Sequence, residues 1–457
     1  MRNRHLYITL LTLLGFSAEA VAQALAQTPQ LVVTITIDQL RTDYMEAYAP
    51  LYQSAGLKRL LNEGMVFPNG SCDFTPVDRA SATASMATGS TPYYNGIPGL
   101  VWLNRSTLRP QNIAEDPKDG HAPLQLATST ISDELKIATG GQGKVFAFAT
   151  DAERAILSAG HAADGAVWVS GSKWNIAPYY TPENQWLSWY TRQYKPVEDI
   201  NKSVTEIAIK CVEQSGITQN EKPSMLFVSY TVNPDEMSYK MLDYYIALLV
   251  GGIQHKMPKD RVLFVLTGTG VTTKDSEGEN ANFRIPTGKF YINRTANLLN
   301  MYLGAIHGAA QYVETSFQNQ IFLNRKLIDK KNLNMGDLLR QAQEFLLQIA
   351  GVRNVYTSNQ LMTSDSQMLQ RIRNGFNVEK SGDLLIDVAP GWELINEDMQ
   401  TTSTSRINSI PFPIIFFGAG IKAGRVLTPV TVDRIAPTVA RAIRIRAPNA
   451  CSAEPLF

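Results

Sequence analysis

Net charge, cysteine, histidine and long apolar runs are all in short supply in this chain of 457 residues, and each shortage removes a class of protein. Lys and Arg number 42 against 41 Asp and Glu, so there is no overall field to hold nucleic acid or an anionic bilayer by counterion release. Only Cys72, Cys211 and Cys451 occur, and none sits in a C-x-x-C spacing, which excludes a zinc knuckle or a dithiol redox motif. The odd count permits at most one disulfide, and the sequence does not say which. Histidine stands at His5, His121, His161, His255 and His307 alone. No internal repeat, low-complexity segment or long Pro/Gly/Ser linker divides the chain.

What is present describes an ordinary globular protein, with 44% hydrophobic and 18% charged residues. Single cores stop growing at roughly 250 to 300 residues, so one large domain with an inserted smaller unit is expected. At the N-terminus Arg2, Arg4 and His5 precede a short apolar run, Tyr7 to Phe16, and then Ala18-Glu19-Ala20-Val21-Ala22-Gln23. A charged lead, a core too short to span a bilayer and an A-x-A-like site predict a signal peptide over 1–22 rather than a membrane anchor. The mature chain, 23–457, is expected to be soluble, exported or periplasmic, and without a transmembrane helix. No cysteine follows the apolar run to take a lipid.

Leu31 to Ile37 is a continuous β-branched run with no polar face, the pattern of a strand buried on both sides of a sheet, and it ends at Asp38. Equivalent runs recur at Val145 to Phe148, Met225 to Ser229, Val262 to Leu266, Leu384 to Val388 and Pro413 to Phe417. Amphipathic stretches lie between them, Leu57 to Asn62, Ser203 to Gln214 and Met241 to Ile253 among them. This alternation predicts an α/β fold with a mostly parallel central sheet and helices on both faces. Residues 283–374 have another texture, with polar helices such as Met335 to Ile349 and short strands at Lys289 to Ile292 and Gln320 to Leu323, and read as an inserted α+β subdomain. In such sheets ligands collect beyond the carboxyl ends of the strands, where Asp38, Val232 to Glu236 and Thr267 to Thr273 fall.

Several segments, in order along the chain, resemble the alkaline phosphatase superfamily. The match is to bacterial periplasmic alkaline phosphatases with a threonine nucleophile and to the nucleotide pyrophosphatase/phosphodiesterase clade. They are Val-Thr-Ile-Thr-Ile-Asp-Gln-Leu-Arg-Thr-Asp-Tyr (33–44), Leu-Lys-Arg-Leu-Leu-Asn-Glu-Gly (57–64) and Ala-Thr-Gly-Ser-Thr-Pro-Tyr-Tyr-Asn-Gly-Ile-Pro-Gly (87–99). Ile-Ser-Asp-Glu-Leu (131–135), Ala-Ile-Leu-Ser-Ala-Gly-His (155–161), Gln-Ile-Phe-Leu-Asn-Arg-Lys-Leu-Ile (320–328) and Ile-Ala-Pro-Thr-Val-Ala (435–440) follow. The resemblance implies phosphate ester hydrolysis with two zinc ions flanking an in-line displacement, a hydroxyl nucleophile and about six Asp and His ligands.

Against that pattern only Asp38, the first metal-binding aspartate, is kept. The nucleophile position, in Pro76-Val77-Asp78-Arg79-Ala80, is Arg79. The Asp-x-x-x-His pair falls on Val232 and Glu236, the Asp-His-Gly on Thr267-Gly268-Thr269-Gly270-Val271, and the last histidine on Pro411. The phosphate-contacting Asn becomes Leu100, and a Lys-x-Arg pair becomes Asp151 and Glu153. Arg79, Leu100, Asp151, Glu153, Val232, Glu236, Thr269, Gly270 and Pro411 therefore describe, with Asp38, a vestigial pocket. No zinc or other cofactor is expected there; any metal would fall to Asp38, Asp235 and Glu236, whose hard oxygens favour magnesium, calcium or manganese.

The remaining histidines read as structural or surface residues, and Asp38 as a loop acceptor for Arg41 or Arg79. Ser81, Thr83 and Ser158 lack the Gly-x-Ser-x-Gly or Ser-x-x-Lys setting of a relocated nucleophile, and Gly140-Gly141-Gln142-Gly143-Lys144 misses the phosphate-loop spacing. The expectation is a protein that is not an enzyme, serving an unknown envelope or periplasmic partner as a binding or scaffold component; the alternative is a residual metal-dependent phosphomonoesterase or phosphodiesterase. Arg79 at a helix N-terminus offers a third reading, the binding of an anion without transfer. The aromatic run Trp186-Leu187-Ser188-Trp189-Tyr190 is either core or interface.

Overall fold

In the computed structural model, which describes residues 28–116, 120–180, 185–271, 286–404 and 410–457, the strand β1 (Leu31–Asp38) is buried along all eight residues. Side-chain alternation sends Leu31, Val33, Ile35 and Ile37 to one face of the sheet and Val32 to the other. The other strands of this sheet, in chain order, are β2 (Met65–Ser71), β3 (Val145–Ala149), β4 (Gly165–Ser170), β5 (Lys173–Ile176), β6 (Ser224–Thr231), β7 (Val262–Gly268), β8 (Phe412–Gly418) and β9 (Gly424–Arg425). Their spatial order is β9-β2-β8-β7-β1-β6-β3-β4-β5, with Val430–Thr431 also paired to β2. β8 runs antiparallel to β7 and β2, and β5 antiparallel to β4; the other pairs are parallel. The mostly parallel α/β sheet expected from the strand–helix alternation is therefore what forms.

Helices cover both faces. Against Val32 lie α1 (Arg79–Thr88), α2 (Ile131–Ala138), α3 (Ala152–Ala159) and, near the end of the chain, α6 (Ile435–Ala442); against Leu31 and Ile35 lie α4 (Ile200–Gln214) and α5 (Glu236–Lys256). α1 is made almost wholly of Ala, Ser and Thr and is buried from Ala80 to Thr88, because small side chains let a helix backbone approach the sheet closely. It starts at a capping box, Asp78 with Ser81, and ends at Gly89 in the left-handed region (φ 63°), where a Cβ would meet Cys451 Sγ at 2.7 Å. Met241 to Ile253, read as amphipathic, behaves otherwise: α5 buries Leu242, Ile246 and Leu249 yet also exposes Met237, Tyr244 and Leu248. No helix among the described residues is long and apolar enough to cross a membrane.

The expected return to the large sheet at Leu384–Val388 does not occur. That strand pairs with Gln320–Leu323 and Val352–Thr357 in a separate four-stranded antiparallel sheet, beside helices Ile292–His307 and Met335–Leu346. A short apolar run reads alike in either sheet, since periodicity reports burial and not which sheet provides it. The chain rejoins the large sheet only at Phe412. This second unit is tied to the first by Asp383, 1% exposed, which accepts from Arg105 Nη1 (3.1 Å), Arg325 Nη2 (2.6 Å) and the Leu323 amide (2.8 Å). Lys380 adds a second tie, donating to the carbonyls of Gly96 and Gln125 over the Trp102 ring; burial pushes its pKa down to about 8.

All three cysteines are free, with Cys72 and Cys211 buried; burial pushes the Cys211 thiol up to about 12. Trp186 packs on Phe146 and Phe148, and Leu187 and Tyr190 are buried, so the aromatic run is mainly core, with Trp189 open. The signal peptide expected over 1–22 lies outside the described residues.

Asp133 organises the α2 start. Its carboxylate accepts from Thr130 N (2.8 Å) and Oγ1 (2.9 Å), from the amides of His161 (2.7 Å) and Ala162 (3.1 Å), and from His161 Nδ1 (2.9 Å). Burial would raise the Asp133 pKa, but His161 and Thr130 hold it below 3.8; the bond from Asp133 raises His161 above 6.5 although burial opposes it. A raised histidine contributes fully below 6.5 and loses its contribution as pH climbs through its folded value, while a lowered aspartate contributes above 3.8 and fails as pH falls through its own. His161→Gln should therefore cost ~2 kcal/mol, less than breaking a fully buried pair because the His161 side chain is a third exposed. Denaturant unfolding across pH should show that difference fullest between 3.8 and 6.5 and shrinking above.

Candidate functional site

β1, β6 and β7 end side by side at the carboxyl edge of the sheet, with Asp38 opposite Thr231 and Ile37 opposite Gly268. Asp38 is 5% exposed, and its Oδ1 accepts from Thr269 Oγ1 at 2.6 Å. The expected partners Arg41 and Arg79 are engaged elsewhere. Arg41 bonds Asp43, two residues on, through Nε (3.0 Å) and Nη2 (2.6 Å), and stacks on Tyr44, because a bidentate pair within one turn of chain costs little ordering.

Arg79 opens α1, and its Nε donates to Glu153 Oε1 in the first turn of the facing α3. Burial works against its charge, but Glu153, Asp151 and Asp38 together raise the Arg79 pKa. Glu153, with a side chain 7% exposed, titrates above the ordinary carboxylate range because burial and the charge of Asp151 outweigh Arg79. Asp151 caps α3 by accepting from the Arg154 amide at 3.1 Å. Despite its own burial it is held low, chiefly by Arg154, whose Nε lies 2.7 Å from Oδ2. Arg154, 1% exposed, also donates to Tyr230 O at 2.5 Å and to Thr231 Oγ1 at 2.9 Å, tying α3 to the end of β6. The expected pocket thus contains two cation–carboxylate pairs. The anion-binding reading of Arg79 is not supported, since its guanidinium is paired and Asp38, Asp78, Asp151 and Glu153 outnumber Arg79 and Arg154.

The other positions are filled by packing and backbone bonds. Leu100 gives its amide to Asp78 Oδ2 at 2.5 Å, so Asp78 serves both as helix cap and as loop anchor. Val232 is 2% exposed and gives its amide to the Asp38 carbonyl at 3.1 Å. Thr269 is fully buried, and Gly270, at φ 75°, lies so close to Phe412 that a Cβ there would stand 2.8 Å from Cε1. The ring of Phe412 covers the turn that the resemblance assigned to an Asp-His pair. Pro411 is exposed and accepts from the Thr42 amide at 3.1 Å. Glu236 points outward, 3.8 Å from Lys240, and Asp235 caps α5 through Ser238.

The donor set does not fit the zinc pair that the resemblance implies. Zinc needs several imidazole or carboxylate donors converging on one point. Here Val232, Gly270 and Pro411 have no donor side chain, Asp38 is turned to Thr269, and Glu153 and Asp151 to guanidiniums. Among the described residues no three His, Cys, Asp or Glu side chains group as a metal site, and Asp38, Asp235 and Glu236 are not brought together as one. The histidines are dispersed: His121 bonds Ala114 O, His161 bonds Asp133, His307 bonds Gln341, and His255 is exposed near the end of α5. An open cleft of about 440 Å³ is lined by Ser129, Asp133, Lys136 and His161 and by none of the pocket residues.

Two residues that the sequence reading did not single out matter most here. Arg154 was legible as Asp151-x-x-Arg154, a spacing that pairs side chains on one helix face. Phe412 carried no signal, because its role depends on β8 arriving from far along the chain. Arg79→Ala should leave Glu153 buried beside Asp151 without a cation and cost ~2 kcal/mol, discounted because Arg79 is 39% exposed. Glu153→Gln combined with Arg79→Ala should recover part of that loss, and thermal unfolding of the single and double variants measures the coupling.

The match to known proteins agrees with this framework. A curated relative from Myroides odoratus described as a calcium-transporting ATPase is 26% identical and covers 96% of each chain. The alkaline phosphatase PafA of Elizabethkingia meningoseptica is 24% identical over 94% of each. A crystal structure of wild-type PafA superposes with a TM-score of 0.81, at 22% identity, over 94% of this chain and 99% of that one, which establishes the common fold. The model for type I phosphodiesterase / nucleotide pyrophosphatase matches residues 32–409, from β1 through the second sheet, and this chain belongs to that family, within the alkaline phosphatase superfamily.

Proposed function

We propose that this chain is a non-catalytic member of its family that keeps the phosphatase-like framework for binding, scaffolding or assembly in the cell envelope. The observation that carries this reading is the Arg79–Glu153 pair: a guanidinium cannot attack phosphorus, and here it neutralises a carboxylate where the resemblance calls for a nucleophile and phosphate-contacting cations. Fold alone does not assign the role; the residues at the strand tips do. Export through the segment 1–22 is part of the proposal, and the intact mass of protein recovered outside the cytoplasm should correspond to a chain beginning at Gln23.

The second reading, residual hydrolysis of phosphate esters, is favoured by a relative described as an alkaline phosphatase over 94% of this chain. The two readings separate on metal and turnover together. Purified mature protein is expected to hold well under one equivalent of zinc and to leave an aryl phosphate and an aryl phosphodiester intact. Arg79→Thr, which returns a hydroxyl to the head of α1, is expected to stay inactive because the ligand positions around it are unchanged. Turnover that persists through purification and vanishes in Asp38→Ala would make the chain an enzyme and end the proposal.

A further inference from the structure

Side-chain alternation puts Thr34 and Thr36 beside Val32, on the face of β1 that α1 and α3 cover. A hydroxyl in the middle of a doubly buried strand needs a partner, because leaving it unmet costs more than a made bond returns. Among the described residues the hydroxyls of Thr34, Thr36 and, on α3, Ser158 have no protein partner. All three border one interior cavity, and Thr83 of α1 borders it as well. The remaining walls are apolar, with Met86, Ile131, Phe227 and Val439 each no more than 5% exposed. Thr34 keeps 8% of its surface accessible while Val33 and Ile35 on either side keep none, so that surface faces the cavity. The gap follows from the composition of α1, whose small side chains reach the strand but do not fill the space between two threonines.

We propose that this cavity is a binding site for one water molecule, which joins β1, α1 and α3 through their hydroxyls. The space in which the centre of a water can sit is about 20 Å³. Roughly 10 to 15 Å³ is enough for one water, and a buried water makes about three hydrogen bonds. Thr83 spends its proton on Arg79 O at 2.7 Å and keeps lone pairs to accept; Thr34, Thr36 and Ser158 can each donate or accept. A water that gives two bonds and takes one or two is matched by that set. No charged side chain borders the cavity, which excludes an ion, and the volume excludes a larger ligand. The site lies beneath the altered pocket. Thr36 stands two residues before Asp38, Thr83 one helical turn after Arg79, and Ser158 five residues after Glu153. The water therefore spans the three elements whose separation sets the Arg79–Glu153 pair.

The sign of one substitution separates a hydrated site from a dry one. Thr36→Val keeps the shape and removes the hydroxyl. With the water bound it should raise the unfolding equilibrium constant of the full mature chain about fivefold, measured by denaturant titration. In a dry cavity it would relieve an unmet hydroxyl and leave stability unchanged or higher, and that result overturns the proposal. In a chain already carrying Ser158→Ala the same substitution should raise the constant by only about twofold, because the two hydroxyls lie on different elements and act through one shared water. Equal factors in the two backgrounds would also overturn it. Oxygen-17 magnetic relaxation dispersion should count one long-lived water fewer in Thr34→Val/Thr36→Val than in the unaltered chain, and an unchanged count speaks against the site. A high-resolution crystal structure of the unaltered chain decides the matter even where a variant does not fold: a water within about 3 Å of at least two of the four hydroxyls is expected, and no density between them ends the proposal.

Discussion

A carboxylate buried beyond the tip of a parallel sheet must find a cation, a set of donors or a metal, because its charge cannot be left bare in a low-dielectric edge. That requirement organises the carboxyl end of this sheet. Asp38 meets it with a hydroxyl, Thr269; Glu153 meets it with Arg79; Asp151 meets it with Arg154, which reaches on to the end of β6. Each solution ties two elements together, so charge neutralisation and the docking of α1 and α3 on the sheet are one and the same interaction. The apolar filling by Val232 and Phe412 follows from it, since positions without donors to satisfy can pack.

The framework around this edge has the fold shared with PafA. In this chain it is made of a ten-stranded sheet with helices on both faces, a capping box that starts α1, and a second sheet carried between β7 and β8. Those features depend on burial patterns and helix signals that do not care what the strand tips carry. Chemistry at the tips can therefore change while the framework holds, provided every buried charge keeps a partner.

Much of the framework was legible in the residues. Leu31 to Ile37 reads as a doubly buried strand and is one; Gln320 to Leu323 reads as a strand within the insertion and is one. Leu384 to Val388 reads equally well as a strand, yet it belongs to the smaller sheet, because an apolar run states that it is buried and not by what. Asp38 shows the same limit at the site. Its place after β1 follows from the sequence, but its partner does not: Arg41 is taken by a nearer aspartate, Arg79 by Glu153, and the hydroxyl that reaches Asp38 comes from a loop 231 positions away.

The residues alone determined the fold class, the resemblance to the alkaline phosphatase superfamily and the side-chain types that stand at the expected pocket positions, because strand burial, helix caps and donor chemistry are properties of short segments. Tertiary structure alone decided which opposite charges meet, that the ring of Phe412 covers the turn at Gly270, and that α5 leaves an apolar face open to solvent. Those outcomes depend on how distant segments are brought together, and a pairing energy that falls steeply with separation cannot be read until the separations exist.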